Sequence, residues 1–166
     1  MKKHLLPVLI LIFLAGTVAG AQQTLLEGPE LEKVLPKSQY EEGDNFPVQA
    51  RNAGGVRLSS GKRVLAALVD TSGFSSQAQS KYLGMLILEQ PVELSTSRVP
   101  AGAYGWGKHE NSVRLYDVGG NSVASTRWLR DEGIAPVKPL QVALRHGGIR
   151  IYAGKEYFVL WPISGR

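Results

Sequence analysis

The chain has 166 residues, 19 Lys and Arg against 14 Asp and Glu for a formal net charge of +5, 43% hydrophobic residues and no cysteine. The lack of cysteine excludes disulfides, thiol catalysis, thiolate metal sites and lipid attachment at a lipobox cysteine. The length suits one ordinary domain.

Lys2 and Lys3 precede an apolar run from Leu5 to Ala15, and Ala19-Gly20-Ala21 follows. This is the charged, apolar, small-residue order of a secretory signal over residues 1–21, cleaved after Ala21. The apolar core is interrupted by Pro7 and Gly16 and falls short of the roughly 20 residues a spanning helix needs, so a membrane anchor left uncleaved is the alternative. Export without disulfides fits the bacterial periplasm or extracellular space. Residues 22–166 hold 17 basic and 14 acidic residues, and the excess is concentrated in residues 122–166, which sum to +4. Such a bias in an exported protein favours anionic glycans, lipid head groups or an acidic protein as partner over nucleic acid; ordinary solvated charge is the plainer reading.

Gly28–Pro36 carries Pro29 at a first helical position, acids in the first turn, and Leu31, Val34 and Leu35 on one face, which predicts a helix of at most two turns. Lys37–Phe46 reads as a loop. Its Glu41, Glu42 and Asp44 lack the alternating ligands and distal Glu of a calcium loop and read as a solvated turn. Residues 22–46 thus form an N-terminal extension ahead of a single β domain over 47–166. From Pro47 onward, short apolar or alternating runs separated by Gly, Asn, Ser and Pro predict an all-β, mainly antiparallel β-sandwich, with a closed calycin-like barrel as the alternative. Strands are expected near 48–51, 55–58, 63–70, 82–88, 92–94, 103–108, 112–117, 122–130, 140–145, 148–152 and 156–161, with a helical turn within Ser72–Ser80. Val64–Val69, Tyr82–Leu88 and Tyr157–Trp161 are apolar on both faces. They require cover from the N-terminal helix and its loop, from a second subunit in a homodimer, or from a ligand in a cavity.

The clearest hairpin turns at Glu110-Asn111 and sets Trp106 opposite Leu115 and Lys108 opposite Val113. Tyr104, Trp106 and Lys108 then share one face, and Ala103, Gly105 and Gly107 leave the other nearly bare. Gly54–Lys62 and Gly147–Lys155 align without gaps at an offset of 93 residues; recurrent turn chemistry explains the pair better than duplication.

His109 and His146, both at predicted turns, are the only neutral-pH bases of the mature chain. There is no Gly-x-Ser-x-Gly elbow, no zinc-type histidine spacing and no phosphate loop. No catalytic residue, metal or cofactor is assigned, and a His-dependent hydrolase is a minor alternative. The binding candidates are Lys108 and His109 at the hairpin turn, Tyr104 on its strand, and the Trp128-Arg130 edge, where aromatic faces adjoin cations. For Trp106 core packing outweighs binding.

Val99-Pro100-Ala101-Gly102-x-Tyr104, between a strand and a hairpin, resembles a segment of small exported bacterial β-sandwich proteins. The resemblance implies an exported sandwich and carries over no functional residue. Together these readings predict a non-catalytic binding or interaction module of the cell envelope, with a calycin-like carrier of a small apolar ligand as the alternative.

Overall fold

The computed structural model describes residues 22–163; the expected signal segment, residues 1–21, lies outside them. In chain order the elements are β1 (Thr24–Leu26), α1 (Gly28–Val34), β2 (Ser38–Glu41), β3 (Asp44–Arg57), β4 (Arg63–Val69), α2 (Ser76–Lys81), β5 (Gly84–Leu88), β6 (Val92–Leu94) and β7 (Ser97–Val99). There follow β8 (Gly102–His109), β9 (Ser112–Tyr116), β10 (Ser122–Arg127), β11 (Leu129–Arg130), β12 (Gln141–Arg145), β13 (Gly148–Ala153) and β14 (Glu156–Pro162).

The strands form two antiparallel sheets. An eight-stranded sheet runs β1-β3-β4-β5-β8-β9-β10 with β2 on β3, and a six-stranded sheet runs β12-β13-β14-β6-β7 with β11 on β14. The sheets pack face to face and do not close, so the fold is sandwich-like and the calycin-like barrel does not form. Alternation decides the core. Val64, Ala66, Leu86, Leu88, Trp106, Val113 and Leu115 of the first sheet meet Ile149, Ile151, Phe158 and Leu160 of the second, all buried.

The opposite side chains of β4 and β5 are also buried, which is why these runs do not alternate. Leu65 packs with Leu26 and Leu31 beneath β1 and α1, while Ala67, Val69 and Met85 pack with Phe46, Ala78 and Tyr82 beneath β3 and α2. The cover that these two strands require is therefore supplied by the chain itself. The outer face of β14 is different, since Trp161 remains 45% exposed.

Residues 37–46, read from the sequence as a loop, instead form the β2–β3 hairpin, pairing Gln39 with Phe46 and Glu41 with Asp44. Glu42 and Gly43 take φ of 49° and 95°, the left-handed pair of a tight two-residue turn. Glu42-Gly43 is thus a strand-joining signal that polarity disguised as solvated loop. In the β8–β9 hairpin, Trp106 faces Leu115 and Lys108 faces Val113, the expected register. In the two aligned segments, Gly61 and Gly154 both reach positive φ at the turn, whereas Gly54 lies inside β3 and Gly147 at a turn with φ 81°. The match is thus one of turn chemistry at one end only. Among the described residues no helix is long and apolar enough to cross a membrane.

Candidate functional site

At the end of β10 the chain crosses from one sheet to the other at Trp128, whose main-chain N–H donates to the Asn111 carbonyl at 3.1 Å. Leu129 and Arg130 then pair with Tyr157 and Glu156 of the second sheet. The crossing leaves Trp128 half-buried, its ring meeting Trp106 and Phe158 in edge contacts with centroids 6.1 and 5.8 Å away. Lys108, projecting from the hairpin, donates to Glu156 Oε2 at 2.6 Å and holds its ammonium 5.9 Å from the Trp128 ring centroid. Arg130 pairs with Glu132, which also accepts from Lys155 at 3.0 Å. Glu156 thus takes the Lys108 ammonium and pairs along the strand with Arg130, and Trp128 lies under Lys108. The indole N–H of Trp128 is buried and lacks an acceptor, which costs free energy unless something supplies one.

The other candidates lie elsewhere. Tyr104 faces the core, 7% exposed, with its hydroxyl donating to the Pro100 carbonyl at 2.9 Å; burial raises its phenol above the usual value. His109 is exposed near the hairpin tip, where its carbonyl accepts from the Ser112 hydroxyl at 2.8 Å. That serine is spent on the turn. Asp117 accepts from the main-chain N–H groups of Gly119 and Asn121 at 3.0 and 2.9 Å, shaping the next turn, and these bonds hold its carboxyl low. His146 occupies the β12–β13 turn, exposed, with φ 51°. Neither histidine is hydrogen-bonded to a serine hydroxyl and a carboxylate among the described residues.

A second cluster escaped the sequence reading. Glu41 ends β2 with its side chain against β8, only 1% exposed. Gln39, two residues earlier and on the same face, donates its amide to Glu41 Oε1 at 2.9 Å, while Oε2 has no hydrogen-bond partner. Burial is the chief cause that pushes this carboxyl up to about 7, with the neighbouring charges of Glu42 and Asp117 adding to it. The adjacent Glu42 is the opposite case. It accepts from the Lys81 ammonium and the Tyr82 hydroxyl, both at 2.8 Å, and these donors hold its carboxyl below the usual range. Lys81 also donates to the Gly120 carbonyl at 2.8 Å and sits 4.8 Å from the Tyr116 ring centroid.

The bare face of β8 makes this arrangement possible. Any side chain at Gly107 would overlap the Lys81 carbonyl where α2 ends, and one at Gly105 would strike Tyr82 and Glu41. Ser75 fixes α2 there, its hydroxyl accepting from the Ala78 N–H at 3.1 Å. Two signals in the sequence marked Glu41: the Gln39/Glu41 alternation ahead of a Glu-Gly turn, and a glycine stripe that something had to fill. Between the hairpin turn and α2 lies an open pocket of about 240 Å³ that Glu41 helps to line.

Comparison of the chain with protein-family models, with curated proteins and with solved structures finds no match.

Proposed function

We propose that this chain is an exported, non-catalytic binding module of the bacterial cell envelope, and that it engages an anionic ligand along the Lys108–Trp128–Arg130 edge. The observation that carries this reading is the buried Trp128 indole N–H without an acceptor, in a ring whose centroid lies 5.9 Å from the Lys108 ammonium. A ligand bringing carboxylate, sulfate or phosphate oxygens supplies both the missing acceptor and the opposite charge. The +4 balance of residues 122–166 adds a wider attractive field. Export rests on the order of residues 1–21 and on the resemblance of Val99–Tyr104 to exported sandwich proteins.

An anionic glycan is the class that fits best, because a half-open indole offers a stacking face and flanking cations offer bonds to uronic or sulfate groups. The carrier reading needs an apolar void between the sheets, and that space holds Trp106, Phe158, Leu115 and Ile149, each 0% exposed. The hydrolase reading needs a histidine joined to a serine and an acid, and both histidines stand at exposed turns.

Tryptophan fluorescence titration tests the proposal, with oligogalacturonate against neutral maltohexaose. The expected result is saturable binding of the acidic oligosaccharide alone, weakened by salt and by Lys108→Ala or Arg130→Ala. Equal response to maltohexaose, or affinity unchanged in both variants, overturns it. Phosphatidylglycerol vesicles and a poly-glutamate peptide, run alongside, separate a lipid or acidic-protein ligand from a glycan.

A further inference from the structure

The geometry points to the pocket between the β2–β3 turn and α2 as a binding site for a primary ammonium group, with Glu41 as its buried anchor. This site is separate from the Trp128 edge and has the opposite charge preference. The pocket of about 240 Å³ is lined by Glu41, Glu42, Asp44, Phe46, Ser75 and Tyr82, among others. Its carboxylates stand on a hairpin, and two aromatic rings contribute to its walls, Phe46 and Tyr82, with centroids 5.4 Å apart. Carboxylate plus aromatic face is a combination that favours an organic cation.

A cluster of acids on a turn would not by itself define a site. What distinguishes this one is Glu41, 1% exposed, with Oε2 lacking any hydrogen-bond partner. Desolvating a carboxylate oxygen without a donor is costly, and the group is retained where something supplies that donor. The chain already shows the chemistry next door. Lys81 places an ammonium on Glu42 Oε2 at 2.8 Å with the Tyr116 ring 4.8 Å away. Lys81 thereby satisfies Glu42 and leaves the buried Glu41 Oε2 without a donor. A hard metal ion is the poorer occupant: among the described residues no group of three or more His, Asp or Glu is placed to hold one, and Phe46, Ala78 and Tyr82 make part of the lining apolar or aromatic.

A free alkylamine and a lysine side chain on a peptide present the same group. The test therefore uses both n-butylamine and the acetylated, amidated tripeptide Gly-Lys-Gly, followed by amide chemical shifts at pH 8. Tetramethylammonium, which has charge and no N–H, and n-butanol, which has neither charge nor N–H⁺, are the controls. Saturable shifts at residues 41–46 and 75–82 are expected for the amine or the peptide. In Glu41→Gln the affinity falls about tenfold, the size expected for losing one charge-assisted hydrogen bond. Binding is stronger at pH 8 than at pH 5, since Glu41 must be ionised; the charged and titratable groups near it are Glu42, Lys81, Tyr82 and Asp117, with Tyr116 beyond Tyr82. Asp44→Asn, on the exposed hairpin, provides a second reading should Glu41→Gln perturb the fold, and weakens binding about twofold to threefold. Binding by the amine alone marks a small-molecule site, and binding by the tripeptide marks a protein-facing one. Absence of saturable shifts with either probe overturns the inference. So does unchanged affinity in Glu41→Gln with an intact spectrum, or an equal response to butanol or tetramethylammonium.

Discussion

Glu41 lies directly on Gly105: a methyl group added at Gly105 would meet Glu41 Oε1 at 2.8 Å and the Tyr82 ring at 2.6 Å. Both neighbours are themselves packed, Tyr82 at 3% exposed and Glu41 at 1%, so neither can swing away cheaply. Gly105→Ala is expected to destabilise the fold by about 1–3 kcal/mol through overpacking. The control is Gly133→Ala, whose added carbon would meet Asp131 Oδ1 at an ordinary 3.5 Å; it should stay within about 0.5 kcal/mol of the parent. Urea unfolding of the two variants measures the difference, and equal midpoints would refute the claim that β8 is bare in order to admit Glu41 and Tyr82.

Glu41 also makes stability depend on pH. Its carboxyl is pushed up to about 7 in the folded chain from 4.5, so between those values the folded state binds more protons than the unfolded one. Stability is then fully present below about pH 4.5 and declines as pH rises through 7. The decline attributable to this group is about 3 kcal/mol at 1.36 kcal/mol per unit. Glu42 and Glu89, held low by their donors, act in the reverse sense: their contribution is present above about pH 4.5 and is lost as pH falls. The difference between parent and Glu41→Gln isolates the first effect. The variant should be the more stable at pH 8 and lose that advantage at pH 5; parallel stability curves would show that Glu41 is not proton-linked.

Much of the sandwich was legible because its cues are local. The period-two pattern around Trp106 and the polar pair Glu110-Asn111 fix a register, and Trp106 meets Leu115 as that register demands. The two-faced runs of β4 and β5 announced a second layer, which α1, α2 and the β2–β3 hairpin supply. The hairpin itself was hidden, since Ser38-Gln39-Tyr40-Glu41 is polar and shows no apolar alternation. Its inward residues, Gln39 and Glu41, are buried by tertiary packing, Glu41 against Gly105, more than sixty positions away in sequence. Lys108 and Trp128 could be named from composition, but not Glu156, which joins them only through the crossing of β10 into β11. Tyr104 misled for the converse reason, because its polar tip finds a partner four residues back at Pro100 and never reaches solvent chemistry.

Lys108 and Glu156 form a largely exposed pair at 2.6 Å, which predicts a separation of stability from binding. Exposed pairs contribute little, so Lys108→Ala and Glu156→Gln should each shift unfolding by less than about 1 kcal/mol. Their effects on an anionic ligand should oppose each other. Lys108→Ala removes the cation over the Trp128 ring and weakens oligogalacturonate, whereas Glu156→Gln releases Lys108 from its carboxylate and strengthens it. Calorimetric titration reads both. Weakening by both substitutions would assign the edge a structural role only.

The place of β1 in the sheet bears on the proposed export. The proposed cleavage after Ala21 would leave Gln22 and Gln23 ahead of β1, whose Leu26 is 1% exposed and packs with Leu31 and Leu65. β1 pairs in register with β3, Thr24 with Arg57 and Leu26 with Gly55, so it is an integral edge of the sheet. Under the export proposal, intact mass of the secreted protein should correspond to residues 22–166. A chain begun at Glu27 instead loses Leu26 and the β1 ladder, and should be less stable by about 2–5 kcal/mol, the range for emptying a buried leucine site. The parent beginning at Gln22 should match the full fold. A secreted product cut within Thr24–Leu26 would contradict the proposed processing site, because such a cut discards the strand that covers Gly55 and Leu65.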